Sequence, residues 1–282
     1  MYIFVYGTLM RGEKAHDYLA GARYAGTYSL RDHAIYNLGR YPGIRPKVGS
    51  AVLGEVYEID LDMLKNMDIY EDEGSLYNRR AALVENESGT LNAYIYVYAK
   101  EINEQEIKGG RWNMKNSDRV WYACYGSNML EARFRCYIDG EKRCFHDVEI
   151  QNTGCRDKTL WIDSRFLSRK GELYFAKESS KWGGGVAFFD HNGTGSVYMR
   201  LYNITWEQML EVQKQEGLEW YGNLILLGCD TSGIPIYTVT AESRDRASAP
   251  SDAYYSVIKD ALVKERGIDE HKAIKYLEAA ME

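Results

Sequence analysis

Short apolar and aromatic stretches, each ended by a turn, dominate the first part of the chain and predict strands. Val52–Ile59, Tyr77–Val84 and Ala93–Tyr98 have this character, and a turn at Glu87–Gly89 joins the last two as a hairpin. An earlier run ends at Tyr6-Gly7-Thr8-Leu9, which predicts a strand followed by a tight turn. The first part of the chain is therefore expected to be rich in β-structure.

One stretch between these strands has helical periodicity instead. Asp60 is a good N-cap for a helix that Gly74 would end. The face of this helix directed to the core carries four residues at the spacing i, i+3, i+4 and i+7: Leu64, Met67, Asp68 and Glu71. Glu71 thus shares a stripe with two apolar residues, where a carboxylate needs a specific reason to be placed.

Other segments give local predictions of turns and helices. The segments that follow the two Tyr-Gly pairs, Met10–Ala20 and Leu130–Tyr137, are compatible with helices. Tyr41–Ile44 contains Pro-Gly and predicts a turn. The chain ends in two predicted helices, Asp252–Glu265 and Asp269–Met281.

The second part of the chain repeats the order of the first. Tyr125-Gly126-Ser127-Asn128 follows a strand-like run and begins 119 residues after Tyr6 (125 − 6). Gly195–Tyr198 matches Gly54–Tyr57, and Asn223–Gly228 and Ile236–Thr240 are then predicted strands. Six elements in the same order indicate a tandem duplication of one α+β unit.

The predicted helix of the second unit begins after Thr205, with Gln208 completing a capping box. Its inner stripe repeats the earlier spacing: Met209, Val212, Gln213 and Glu216. The duplication predicts domains at residues 1–114 and 119–282, with a polar linker at Lys115–Arg119. The longer second unit is expected to carry an insertion within Asp139–Gly185.

Composition and charge narrow the classes of partner. The net charge of the 282 residues is −6 and no dense Lys/Arg run occurs, which argues against nucleic acid and acidic membrane surfaces. No apolar run approaches the ~18 residues of a membrane span. Five cysteines without a CxxC pair argue against a disulfide framework and a zinc site, and the histidines lack ligand spacing. A cytoplasmic protein without a metal is expected.

Each unit therefore has a turn rich in backbone N–H groups and a lone glutamate on a later helix. If the two meet in space, burial raises the pKa of the carboxyl group and suits it to proton transfer near neutral pH. The N–H groups can hold a substrate carboxylate or a developing oxyanion. Glu71 and Glu216 are the candidate catalytic residues.

Three motifs of the first half resemble the γ-glutamylcyclotransferase superfamily, in its γ-glutamylamine cyclotransferase and AIG2-like branch: Tyr6-Gly7-Thr8-Leu9, Gly54-Glu55-Val56-Tyr57 and Tyr70-Glu71 with Leu76-Tyr77-Asn78-Arg79. The second half resembles the same superfamily through Tyr125-Gly126-Ser127-Asn128-Met129 and Glu216-Gly217. It is similar to a bacterial branch of uncertain activity through three further motifs: Arg135-Cys136-Tyr137, Gly154-Cys155-Arg156-Asp157 and Trp182-Gly183-Gly184-Gly185.

The resemblance implies an α+β fold of two tandem small β-barrels flanked by helices. It implies a cofactor-independent reaction, in which a γ-glutamyl amide closes to 5-oxoproline and releases an amine while the glutamate moves the proton. The implied substrate-binding residues are Tyr6, Gly7, Thr8, Leu9, Tyr77 and Tyr98 in the first half, and Tyr125, Gly126, Ser127 and Asn128 in the second. The oligomeric state and the leaving amine are not fixed by it.

Two other functions are compatible with the same residues. One is a binding module that holds a γ-glutamyl-like ligand with one or both sites inactive. The other is a related amidase or acyl transferase. Glu71, which is followed by Asp72 and Glu73, also fits a solvent-facing carboxylate at a helix end.

Overall fold

The computed structural model describes residues 1–115 and 117–281. They form two compact units, Met1–Lys115 with Ile225–Tyr237 and Asn116–Leu224 with Thr238–Glu282. Asn116, within the predicted linker, lies outside the described residues. The domain limits at residues 114 and 119 remain predictions.

Residues 1–115 of the first unit contain a closed five-stranded barrel and one α-helix. Its elements are β1 (Tyr2–Val5), β2 (Arg23–Asn37), β3 (Pro42–Glu58), α1 (Leu61–Tyr70), β4 (Tyr77–Asn86) and β5 (Gly89–Tyr98). The strands close in the order β1-β3-β2-β4-β5, with β1 antiparallel to β3 and parallel to β5. The α+β fold with a small β-barrel is thus confirmed.

Gly54 of β3 allows β1 to approach closely inside this barrel. A Cβ atom at Gly54 would lie 2.3 Å from the carbonyl oxygen of Val5 and 2.7 Å from the ring of Phe4. Both distances are shorter than a van der Waals contact, so only glycine fits. Ile3, Phe4 and Val56 beside it are fully buried or nearly so.

The rest of the chain contains nine strands and four α-helices among its described residues. They are β6 (Arg119–Cys124), α2 (Glu131–Asp139), β7 (Arg143–Phe145), β8 (Val148–Ile150), β9 (Ser164–Lys170), β10 (Glu172–Ser179), β11 (Gly184–Asp190), β12 (Ser196–Thr205), α3 (Trp206–Glu216), β13 (Asn223–Cys229), β14 (Pro235–Thr240), α4 (Asp252–Asp260) and α5 (Glu270–Ala279). One sheet has the order β13-β14-β6-β12-β9, and β7-β8 and β10-β11 form two-stranded sheets.

The predicted helix starts are confirmed at atomic detail. The Asp60 side chain accepts a hydrogen bond from the Met63 N–H at 2.8 Å. Thr205 and Gln208 form the reciprocal capping box, with the Gln208 N–H donating to Thr205 Oγ1 at 3.2 Å. These caps satisfy N–H groups that have no partner inside their helices.

Four local predictions are corrected. Met10–Ala20 forms only a 3₁₀ turn at His16–Leu19, because the chain reverses repeatedly and Gly12 takes a left-handed φ of 81°. Most of Tyr41–Ile44 belongs to β3, which begins at Pro42, a position where a strand needs no N–H donor. Helix α1 ends at Tyr70 instead of Gly74, since Asp72 has a left-handed φ of 48°. Beyond Asp260, α4 continues as a π-helical segment, Ala261–Glu265.

Two further observations concern membranes and thiols. Within the described residues, no helix combines the length and the apolar character that crossing a bilayer requires. Within the described residues, no disulfide bond joins any of the five cysteines, and all but Cys144 are buried.

We expect Gly54→Ala to lower the free energy of unfolding by about 1–3 kcal/mol, because the added methyl group overpacks the contact between β3 and β1. Denaturant unfolding measures the change. Thr90→Ala, at an exposed position of β5, is the control and should stay within about 0.5 kcal/mol of the wild type. An unchanged stability for Gly54→Ala would contradict the close approach.

Candidate active site

The Tyr-Gly turn of the first unit presents unpaired N–H groups at the end of β1. The Met10 N–H donates to the Gly7 carbonyl at 3.0 Å and closes the turn. The N–H groups of Gly7, Thr8 and Leu9 donate no hydrogen bond within the described part of the chain. A Cβ atom at Gly7 would lie 2.5 Å from Pro42 Cγ, so glycine is required there. The turn is suited to holding an oxygen of a ligand.

Hydroxyl groups fix the walls around this turn. Tyr6 donates to the carbonyl oxygen of Tyr96 at 2.6 Å, and Tyr77 donates to that of Pro42 at 2.7 Å. The hydroxyl groups of Thr8 and Tyr70 lie 3.1 Å apart. Because Tyr6 and Tyr77 donate to the backbone, their rings shape the chamber while their protons are already used.

Glu71 follows the last residue of α1. Its backbone N–H still donates to the Met67 carbonyl at 2.9 Å, so the helix fixes its direction. Its carboxylate accepts no hydrogen bond from any described residue, and burial raises the pKa of this group to about 7. The negative end of the helix dipole acts in the same direction. The predicted buried acid is therefore present, poised between its two protonation states at neutral pH.

The turn and Glu71 border one cavity of about 230 Å³. Its lining residues are Phe4, Val5, Tyr6, Gly7, Thr8, Leu9, Tyr41, Pro42, Tyr70, Glu71, Leu76, Tyr77 and Tyr96. Glu71 is the charged member of this set. A small polar molecule placed here contacts unpaired N–H groups on one side and the carboxyl group on another.

Most of the first-half site residues named from the sequence meet in this cavity. Tyr98 does not line it, and packs edge-on against Tyr77 with ring centroids 5.4 Å apart. Seven lining residues were not among the site residues named from the sequence: Phe4, Val5, Tyr41, Pro42, Tyr70, Leu76 and Tyr96. Tyr70 directly precedes Glu71, and Tyr96 shares a strand face with Tyr98, so adjacency and alternation were the available signals.

A second set of bonds anchors the end of α1. The Tyr96 hydroxyl donates to Asp68 at 2.7 Å, and Arg79 forms an ion pair with the same carboxylate. Asp68 lies one turn before Glu71 on α1, whereas Arg79 and Tyr96 lie on β4 and β5. The last helical turn is thereby held against the barrel wall beside the cavity.

The second unit also places its Tyr-Gly turn and its glutamate beside one cavity, but this cavity is much smaller. The Tyr125 hydroxyl donates to the Val239 carbonyl at 2.6 Å, as Tyr6 does to Tyr96. The cavity beside it measures about 30 Å³, room for one or two waters. It is lined by Tyr122, Cys124, Tyr125, Gly126, Ser127, Asn128, Ala187, Glu216, Tyr221, Val239 and Tyr254.

Glu216 borders this second cavity and is fully engaged by side chains. Asn128 Nδ2 donates to Oε1 at 2.6 Å, and the Tyr137 hydroxyl donates to Oε2 at 2.7 Å. The Tyr122 hydroxyl adds a longer bond of 3.3 Å to Oε1. Glu71 and Glu216 occupy corresponding positions, yet among the described residues the Glu71 carboxylate has no hydrogen-bond partner and the Glu216 carboxylate has three.

We expect Glu71→Gln to stabilise the first unit above neutral pH. Burial raises the pKa of Glu71 from 4.5 to about 7, so the carboxyl group favours the folded state when protonated and opposes it when ionised. The wild type should therefore lose stability relative to the variant between pH 4.5 and pH 7, by about 1–3 kcal/mol. Denaturant unfolding at pH 4.5 and pH 8 measures it.

The exposed Glu73→Gln serves as the control, and should show no such dependence on pH. A difference between Glu71→Gln and the wild type that is equal at both pH values would contradict the buried, unpaired carboxyl group.

Comparison with known proteins bears on the first unit most directly. A family model described as gamma-glutamyl cyclotransferase, AIG2-like, matches residues 3–114. The gamma-glutamylcyclotransferase family protein YtfP of Escherichia coli is 34% identical over 113 residues, which cover 40% of this chain and 96% of that protein.

Two matches extend into the second half. Histone deacetylase 5 of Arabidopsis thaliana is 30% identical over 205 residues, 57% of this chain, and the chain spans only 31% of that protein's length. The crystal structure of YkqA from Bacillus subtilis is 21% identical, covers 99% of this chain and 97% of its own, and has a TM-score of 0.46. Since the match to YtfP covers nearly all of that relative, the chain belongs to the γ-glutamylcyclotransferase family.

Proposed function

We propose that the first unit converts γ-glutamyl amides, of amines or amino acids, into 5-oxoproline and the free amine, without a cofactor. Glu71 acts as the general base and then as the general acid. The observation that carries the proposal is the position of an unpaired carboxyl group, with a pKa of about 7, in the same cavity as the unpaired N–H groups of Gly7–Leu9.

Binding uses the two polar sides of the cavity. The N–H groups after β1 hold an oxygen of the substrate, either of its α-carboxylate or of its γ-carbonyl. The tyrosine rings pack against the methylene groups, and Glu71 faces the α-amino group. A cavity of about 230 Å³ accommodates the γ-glutamyl part, with the leaving amine directed to its opening.

The reaction moves two protons from the α-nitrogen to the leaving nitrogen. Glu71 takes the first from the α-ammonium group, and the resulting amine forms a bond with the γ-carbonyl carbon. As the bond from that carbon to the leaving nitrogen breaks, Glu71 returns this proton to the leaving nitrogen and then passes on the second, so that the lactam nitrogen keeps one hydrogen and the amine leaves protonated. Both reacting groups belong to one molecule, so holding it folded accounts for much of the acceleration. A carboxyl group with a pKa near 7 serves both directions of transfer.

Glu216 has the same predicted role in the second unit. In the folded chain its carboxylate is held by Asn128, Tyr122 and Tyr137, beside a cavity of about 30 Å³. A catalytic Glu216 therefore requires the second cavity to open. The alternative function, binding of a ligand without catalysis, is better supported for the second unit than for the first.

We expect Glu71→Gln to reduce turnover by about 10²–10⁴-fold, because the amide cannot carry the proton. Release of 5-oxoproline from a γ-glutamyl amine measures it, with Glu73→Gln as the control that keeps wild-type turnover. For the wild type, kcat/KM should rise through about pH 7 as Glu71 ionises. Full activity in Glu71→Gln would exclude this mechanism, and binding without turnover would favour the binding module.

We expect Glu216→Gln to leave the turnover of the intact chain unchanged within about twofold, since the closed second cavity does not admit the substrate. The same assay measures it. A large loss of turnover would instead establish Glu216 as a second catalytic residue.

A further inference from the structure

The second Tyr-Gly turn faces a side chain of its own unit. Tyr254 is buried in the first turn of α4, which Ser251 caps by accepting from the Tyr254 N–H at 3.3 Å. Its hydroxyl oxygen accepts a hydrogen bond from the Ala187 N–H at 3.2 Å, and the backbone of Ser127 also interacts with it. A Cβ atom at Gly126 would lie only 2.9 Å from this oxygen. The phenol oxygen thus lies directly against the turn.

In the first unit, no oxygen of the described side chains, those of the two chain neighbours aside, lies within 4 Å of a Cβ atom built at Gly7. The atoms nearest to a Cβ at Gly7 are carbons of Pro42, and the N–H groups of Gly7, Thr8 and Leu9 are without partners in the described chain. The cavities differ accordingly, about 230 Å³ against about 30 Å³. The unit whose turn glycine faces a phenol oxygen is the one with almost no cavity.

The second cavity nevertheless keeps features of a ligand site. Asn128 is 4% exposed, and its Oδ1 atom accepts no hydrogen bond from the described residues. Leaving a buried acceptor unpaired destabilises the fold, and a filled core would avoid this cost. Asn128 also orients Glu216 through its Nδ2 group. An acceptor, a carboxylate and the Tyr-Gly turn therefore surround the Tyr254 hydroxyl.

We propose that Tyr254 is the specificity-determining residue that excludes γ-glutamyl compounds from the second unit, because its hydroxyl takes the position of a ligand oxygen at the turn. The nature of the excluded ligand rests on the function proposed for the first unit. Turnover by the chain then comes from the first unit, and Glu216 becomes accessible only when Tyr254 leaves the turn.

The test titrates the intact chain with 5-oxoproline. It measures how many molecules bind and whether one of them binds in the second cavity. The Trp182 ring lies 5.1 Å from the Tyr254 ring, centroid to centroid, so its indole N–H resonance reports on the second cavity. Isothermal titration calorimetry counts the bound equivalents. The variants are Tyr254→Ala, which opens the cavity, and Tyr255→Ala, a partly exposed neighbour on α4 that does not line it.

The wild type and Tyr255→Ala should bind one equivalent, with the Trp182 resonance unchanged. Tyr254→Ala should bind two, with the Trp182 resonance shifting as 5-oxoproline is added. If Tyr254→Ala fails to fold, Tyr254→Leu keeps apolar volume on α4 without placing an oxygen at the turn, and the same two equivalents are expected.

Two results would overturn the proposal. In one, the wild-type Trp182 resonance already shifts with 5-oxoproline, which shows an open second site. In the other, neither Tyr254 variant responds, which shows that another feature excludes the ligand. The turnover assay tests the proposed reaction separately from this titration. If the first unit binds 5-oxoproline but turnover does not depend on Glu71, the proposed reaction fails and the conclusion on Tyr254 is unaffected.

Discussion

The burial of one carboxyl group without a partner is the constraint on which the first site depends. Ionised Glu71 loses hydration and gains no hydrogen bond or cation from the described residues, so its proton is held more tightly than in water. Removing a partner from a buried charge normally destabilises a fold. Here the cost remains tolerable because the group can stay protonated, and this property makes it useful for moving a proton.

An ion pair and a hydrogen bond next to Glu71 keep its carboxyl group in this desolvated position. The ion pair of Arg79 with Asp68, and the bond from Tyr96 to Asp68, hold the last turn of α1 against β4 and β5. Tyr6 and Tyr77 donate their hydroxyl protons to backbone carbonyl oxygens. Neither of these two hydroxyl protons is therefore available to Glu71.

The two units share the hydrogen bond of the turn tyrosine but surround their glutamates with different side chains. The bond from the turn tyrosine to a strand carbonyl is common to both, at 2.6 Å each. In the second unit, however, Asn128, Tyr122 and Tyr137 converge on Glu216, and α4 supplies Tyr254 to the turn. Among the described residues, the carboxylate therefore accepts no hydrogen bond in the first unit and accepts hydrogen bonds from three side chains in the second.

The sequence by itself predicted β4, β5, β13 and β14, the caps at Asp60 and Thr205, and the places of Glu71 and Glu216 at their helix ends, because these follow from local periodicity and capping chemistry. It could not place the helix end at Tyr70, since that depends on a left-handed residue at Asp72. Only the tertiary structure brought Tyr41, Pro42 and Tyr96 to the cavity. Barrel closure decides which residues distant in the chain face each other. The matching helix spacings of Glu71 and Glu216 likewise gave no sign that their surroundings differ. The hydrogen bonds to each carboxylate and the volume of each cavity depend on side chains from other elements.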